Sequence, residues 1–174
     1  SLKRLKKDQI QLYQLHRVDP EVPFEKTLEF LQTIQEEGLV KHIGLSEVDI
    51  AQIKKAQQYI KVVSVQNKYS VDNRKWEDVL NYCNHNNIAF IPWYPLNAGN
   101  VEAIETLNRI GRKYNASAHQ VALSWLLHHS NDILLIPGTS KVKHLEENYK
   151  AVSIELNQDD MNELEVLAKA GISA

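Results

Sequence analysis

Ile10-Gln11-Leu12-Tyr13-Gln14-Leu15-His16-Arg17-Val18-Asp19-Pro20 is the stretch that decides the fold. Its first six residues read as a short apolar strand. A titratable side chain follows at the strand's C-terminal end, and Pro20 and Pro23 then turn the chain into a helix. Histidine is the side chain whose ordinary pKa lies near working pH. A βα barrel gathers its chemistry at the C-terminal ends of its strands, just ahead of the helices.

The same plan repeats along the chain. Pro23 opens a helix to about Glu37, with Phe24, Leu28, Leu31 and Ile34 at helical spacing and Gly38 as its stop. Strands are expected at Val40–Leu45, Val62–Val65, Ile88–Trp93 and Ile133–Ile136. Helices are expected from Asp49 as N-cap to Tyr59, from Asp72 or Asn73 to His85, and over Val101–Tyr114, Ala118–His128, Val142–Tyr149 and Gln158–Ala168. Apolar strands alternating with amphipathic helices predict an α/β fold with a parallel sheet covered by helices. A barrel and an open doubly wound sheet both satisfy that pattern. Polar residues gather at five strand ends: His16, Ser46, Gln66-Asn67, Trp93-Tyr94 and Thr139-Ser140. A barrel brings all five to one mouth, whereas an open sheet brings together only those near a switch point. Convergence is the better account. No Gly-x-Gly-x-x-Gly follows a strand, so a Rossmann dinucleotide site is not supported.

Composition excludes several classes. With 174 residues, 43% hydrophobic and 24% charged, the chain suits a globular domain, and it reads as one domain over 1–174. A net charge of -2 gives no footprint for nucleic acid or an anionic membrane. No apolar run approaches the roughly 20 residues that span a bilayer. Ser1–Lys7 is basic and reads as a helix end, not a signal peptide. Cys83 is the single cysteine, which rules out an internal disulfide and fits a reducing cytoplasm. No histidine pair has metal-ligand spacing, so no metal is expected. His85, His128 and His129 read as helix-end residues, and Trp76 and Trp125 as helix packing.

Five motifs in order resemble the aldo-keto reductases: Leu15-His16-Arg17-Val18-Asp19-Pro20, Ile43-Gly44-Leu45-Ser46, Val65-Gln66-Asn67, Ile91-Pro92-Trp93-Tyr94-Pro95-Leu96, and Ile136-Pro137-Gly138-Thr139-Ser140 through Leu145-Glu146-Glu147-Asn148. The resemblance covers nearly the whole chain. It implies a TIM-type (β/α)8 barrel that reduces aldehydes and ketones with NADPH and needs no metal. It makes His16 the catalytic histidine that orients the substrate carbonyl. Ser46 and Gln66 would hold the nicotinamide carboxamide, with Trp93 stacked on its ring and Tyr94, Pro95 and Leu96 beside it. Gly138, Thr139, Ser140 and His144 would surround the adenosine 2'-phosphate, and Glu147 and Asn148 the adenine.

Two departures matter. Gly138 and His144 stand where many members carry Lys and Arg, so NAD enters as a possible cofactor beside NADP. Glu47 stands where Asn is frequent, and an ionised carboxylate cannot donate a hydrogen bond. The family's Asp, Tyr and Lys come from its first three strands, so the resemblance implies that this chain supplies about strands 4 to 8. Such a half-barrel is expected to self-associate, or to belong to a longer protein, because it exposes sheet edges. Alternation along the strand turns Tyr13 away from His16. Tyr69 and Tyr94 lie near the expected mouth, although neither matches the family's acid. The loop after Leu96 reads as short, with Asn100 leading into the next helix, which predicts an open site. The alternatives to a reductase are a cofactor-binding regulatory subunit and a non-catalytic half-barrel.

Overall fold

The computed structural model describes residues 1–97 and 104–170. They divide into two compact units, Ser1–Asn67 with Asp78–Phe90, and Lys68–Glu77 with Ile91–Ala174.

The first unit holds the sheet. Strands β1 (Ile10–Leu15), β2 (Val40–Ser46), β3 (Val62–Gln66) and β4 (Ala89–Phe90) run parallel in sequential order. Helices α1 (Leu2–Leu5), α2 (Phe24–Glu36) and α3 (Ile50–Ala56) belong to this unit, with all but the first residue of α4 (Glu77–His85). The helical spacing read in the α2 sequence puts Leu28 and Leu31 in the core, and Ile43 and Leu45 of β2 are fully buried there too. Gly38 ends α2 in the left-handed conformation, φ 74°, which costs glycine little. Asp49 caps α3: its carboxylate accepts from the Gln52 N–H at 2.7 Å, and the Gln52 side chain accepts from the Asp49 N–H at 3.0 Å.

A three-strand row lies midway along the sheet. Gln14 pairs with Gly44, and Gly44 with Ser64. Because Gly44 has no side chain, the Gln14 amide passes over it and donates to Ser64 Oγ at 3.1 Å. A Cβ at Gly44 would fall on Ser64 Oγ and lie 3.1 Å from the Ser64 carbonyl oxygen. Gly44→Ala is therefore expected to cost about 1–2 kcal/mol, since the Ser64 hydroxyl must turn away and drop its bond. Urea unfolding of the two proteins checks this; equal midpoints would refute it.

The second unit carries α5 (Glu105–Lys113), α6 (Ala118–His129), α7 (Val142–Lys150), a 3₁₀ turn (Ala151–Ser153) and α8 (Gln158–Ala170). Ser117 and Gln120 form a reciprocal capping box that starts α6. Val121, Ala122, Leu123, Trp125 and Leu126 of α6 are all fully buried, as a core helix requires.

Three expected elements are corrected. The fourth strand spans only Ala89–Phe90, because Pro92 has no N–H for a ladder; Trp93 keeps one isolated bridge, to Lys68. Ile133–Ile136 is not an extended strand among the described residues: only Ile133 makes a bridge, and the pairing does not continue to Ile136, so four strands are described where five were expected. The helix expected from Asp72 or Asn73 begins at Glu77, leaving Trp76 ahead of it. Ser70 and Asn73 instead exchange backbone bonds at 3.0 and 3.2 Å, and Ser70 Oγ donates to Asp72 at 2.6 Å, so these residues close a turn. The expected short loop through Asn100, and the helix start at Val101, lie outside the described residues. No described helix is long and apolar enough to cross a membrane.

Candidate functional site

In the first unit, polar groups collect at the strand ends. Leu15 pairs with Leu45 and Ser46 with Gln66. His16, Ser46 and Gln66 each lie two residues beyond Gln14, Gly44 and Ser64, so they continue the same face. Ser46 is 3% exposed. Its hydroxyl donates to the Gln66 carbonyl at 2.8 Å and accepts from Arg17 at 3.2 Å. The single hydroxyl proton is thus committed, and Ser46 offers a ligand one remaining lone pair, suited to an amide N–H. Arg17 also donates to the His16 carbonyl at 2.9 Å, so one guanidinium fixes the ends of two strands. The His16 imidazole itself is exposed.

Glu47 takes a left-handed conformation, φ 54°, and its N–H donates to the Gln66 carbonyl at 3.0 Å. For a non-glycine residue that conformation stores strain of about 1 kcal/mol. Asn67, fully buried, accepts from the Val48 N–H at 3.2 Å and donates to the Val48 carbonyl at 2.8 Å. It works as a brace for the turn after β2.

In the second unit, a groove of about 680 Å³ brings together nine of the expected residues: Trp93, Tyr94, Pro95, Leu96, Gly138, Thr139, His144, Glu147 and Asn148. Ser117, His119, Ile136 and Pro137 also line it among the described residues, and Ser140 lies outside it. Trp93 and Tyr94 meet edge to face at 5.1 Å. The Lys68 ammonium sits 5.7 Å from the Trp93 ring centre and 5.5 Å from that of Tyr94. Tyr94 has φ 59°, a second non-glycine residue held in the left-handed region, four positions past β4. Thr139 Oγ1 accepts from the Lys141 N–H at 3.1 Å and so shapes the entry to α7. Gln120 donates to the Glu147 carbonyl at 3.0 Å, joining α6 to α7 beneath the groove.

Tyr69 is removed as a stand-in acid. It is fully buried, and its hydroxyl donates to Glu77 at 2.6 Å. Burial first, then the Glu77 carboxylate, push its pKa far up. Glu77 also faces His129 Nε2 at 2.8 Å, while His129 Nδ1 faces Glu165 at 3.0 Å. Arg74 pairs with Glu165 and stacks 4.3 Å from the Trp125 ring centre, with His129 on that same indole at 4.5 Å. His129 is therefore more than a helix-end residue: within the second unit it ties α6 to Glu77 and to α8.

Sequence reasoning missed Arg17 and His119. Arg17 adjoins the quoted histidine, but its bond to Ser46 crosses 29 residues and leaves no local pattern. His119 lies within the Ser117–Gln120 capping pattern, which marks a helix start and carries no hint of a groove.

Comparison with known proteins gives a consistent result. The model of the aldo/keto reductase family matches residues 1–169. A Schizosaccharomyces pombe protein, uncharacterized oxidoreductase C215.11c, is 47% identical over 171 residues, covering 98% of this chain and 56% of that protein. The thermostable aldo-keto reductase Tm1743, solved with the inhibitor epalrestat, superposes with TM-score 0.88 at 32% identity, over 95% of this chain and 62% of that one. An aldo-keto reductase from Klebsiella pneumoniae, solved in complex with NADPH, shares the fold with TM-score 0.82 at 23% identity, over 96% of this chain and 61% of that one. This chain spans about half the length of the curated relatives it matches, 51–56%.

Proposed function

The chain belongs to the aldo/keto reductase family, and on that premise we propose that it is part of a nicotinamide-dependent oxidoreductase that reduces aldehyde or ketone carbonyls to alcohols. The observation that carries this reading is the family match over 1–169, which takes in every site residue named above. NADP is the proposed cofactor, with NAD as an alternative, and it supplies the hydride.

The residues present fit such a group. The groove's volume lies within the range of small-ligand sites, about 300–1,000 Å³, and it combines an aromatic wall with hydroxyl, amide and imidazole groups. In this reading the groove takes the adenosine end. Ser46 accepts from the carboxamide through its remaining lone pair, and Gln66 adds its side-chain amide. His16 faces the substrate oxygen and supports its protonation. Arg17 holds Ser46 in place and acts as a positioning residue. Cys83 is a buried thiol, which suits the reducing cytoplasm proposed as its compartment.

One observation favours a second reading, binding without turnover: the buried tyrosine of this chain, Tyr69, has its proton committed to Glu77. Two measurements on the full-length protein separate the readings. NADPH titration followed by energy transfer from tryptophan reports binding, and steady consumption of NADPH with a small aldehyde reports catalysis. Saturable binding with turnover is the expected outcome. Binding with no turnover for any aldehyde or ketone would favour the second reading, and no binding would remove both.

A further inference from the structure

In the first unit, side-chain bonds tie β1 to β3 across β2 at two heights. The upper tie lies at the strand ends: Arg17 donates to Ser46 Oγ at 3.2 Å, and Ser46 donates to the Gln66 carbonyl at 2.8 Å. The lower tie is a single step, from the Gln14 amide to Ser64 Oγ at 3.1 Å, over the place where Gly44 has no side chain. Two residues of extended strand separate the ties, about 6–7 Å. One tie would leave β1 free to pivot about it. Two ties at different heights fix the angle between β1 and β3 as well as their spacing.

The lower tie falls where the backbone ladder is irregular. Ile43 pairs with Val62 but Gly44 with Ser64, so Val63 is an extra residue on β3. Burial agrees: Val62 and Val65, three positions apart, are both buried, whereas an unbroken strand would turn them to opposite faces. A bulge of this kind interrupts pairing and increases the local twist. Ser64 is the first residue of β3 to pair after it, and Ser64 is the residue that Gln14 holds. Two positions further along the same face stand His16 on β1 and Gln66 on β3.

We propose that Gln14 and Ser64 are positioning residues: their bond sets the tilt of β1 and thereby the place of His16 relative to Ser46 and Gln66. The inference rests on the reductase reading above, in which His16 faces the substrate oxygen while Ser46 and Gln66 hold the carboxamide. Gln14 and Ser64 act from one row below that site and move no proton. Their effect is geometric, because a reacting group displaced by about 1 Å can cost about 100-fold in rate. A tilt that leaves the backbone ladder intact moves His16 by less, and the expected cost is about tenfold.

The test uses the full-length protein with Gln14→Leu and Ser64→Ala combined. Removing both partners leaves neither group unpaired, so the thermal midpoint should stay close to that of the wild type. In the cofactor-free protein, amide hydrogen exchange over residues 10–16 should speed up by about threefold, with exchange in α6 unchanged. NADPH affinity should change by less than about twofold, since Ser46 keeps its bond to the Gln66 carbonyl. Carbonyl reduction in a single turnover should slow about tenfold. In the His16→Ala background the same two changes should slow it by less than about twofold, because the tilt of β1 then aims no reacting group. If the double variant melts early, Gln14→Met alone, which keeps the length and drops the donor, gives the same comparison. Unchanged exchange over residues 10–16, reduction at the wild-type rate, or a tenfold loss that persists without His16 would each overturn the inference while leaving the reductase reading standing. A wild type that reduces no carbonyl would remove that reading, and the inference with it, before any variant is compared.

Discussion

Replacing His16 with alanine is expected to lower kcat/KM for carbonyl reduction by about 10²- to 10⁴-fold, with little change in NADPH affinity or in thermal stability. In free energy that is about 3–5 kcal/mol of transition-state stabilisation. The expectation of unchanged stability comes from the imidazole's exposure and from the way this strand end is held. Arg17 bonds to the His16 carbonyl, not to its ring, so the backbone anchor survives truncation. Ser46 keeps its donor bond to the Gln66 carbonyl as well. A loss confined to kcat at constant cofactor affinity would mark His16 as a group that meets the reacting oxygen. Arg17→Ala is the contrasting variant. It frees Ser46 from one partner and should weaken NADPH binding while leaving more of kcat. Turnover of the His16 variant within threefold of wild type would dismiss the proposed role.

Asp160→Ala is expected to destabilise the second unit by about 2–3 kcal/mol and to remove part of the protein's acid sensitivity. Asp160 is 1% exposed, in the first turn of α8. Its carboxylate pairs with Lys113 and accepts from the Tyr114 hydroxyl at 2.7 Å. That hydroxyl also accepts from the Asn157 N–H at 2.9 Å, so one cluster pins the end of α5 to the start of α8. The figure stays below that for a fully buried ion pair because the Lys113 side chain is 46% exposed and keeps much of its hydration. Burial raises the Asp160 pKa, but Lys113 and Tyr114 outweigh it and leave the carboxyl below the usual aspartate range. Burial likewise opposes ionisation of Glu77, and His129 and Tyr69 more than offset it.

For both groups the folded pKa lies below the unfolded one. Their contribution is thus complete above the unfolded value, near pH 4, and is lost as pH falls through the folded value. Urea midpoints measured from pH 7 down to pH 3 should decline at the acid end. Asp160→Asn should make that decline shallower, and an unaltered pH profile would contradict the assignment.

How far the sequence discloses this structure depends on the range of each interaction. β1, β2 and β3 were legible because each is an apolar run bounded by turn residues, and their ends carry the polar groups. The starts of α3 and α6 fell at Asp49 and Ala118, where the helical pattern begins beside a capping side chain. Ile133–Ile136 has strand-like composition, but a strand is a relation between segments, and composition does not say how far the pairing begun at Ile133 extends. Asp72 and Asn73 suit a turn as well as a helix cap, and Ser70 decides between the two uses. Most of the groove residues could be named in advance through a likeness to a family. Residue types alone would have left Trp93 as packing and Ser46 as a helix cap. Tyr69, Glu77, His129 and Glu165 could not be assembled from their spacing, because they come from four separate segments.

The empty place at Gly44 has a consequence for inheritance. Gln14, Gly44 and Ser64 sit on three strands far apart in the chain, yet one bond spans them by way of the gap. A larger residue at position 44 makes a long amide at 14 and a hydroxyl at 64 useless to each other. A change at 14 or 64 in turn removes the reason for keeping the gap. Substitutions at these three positions are therefore expected to be tolerated together more readily than one at a time, a coupling that double-mutant cycles would read out.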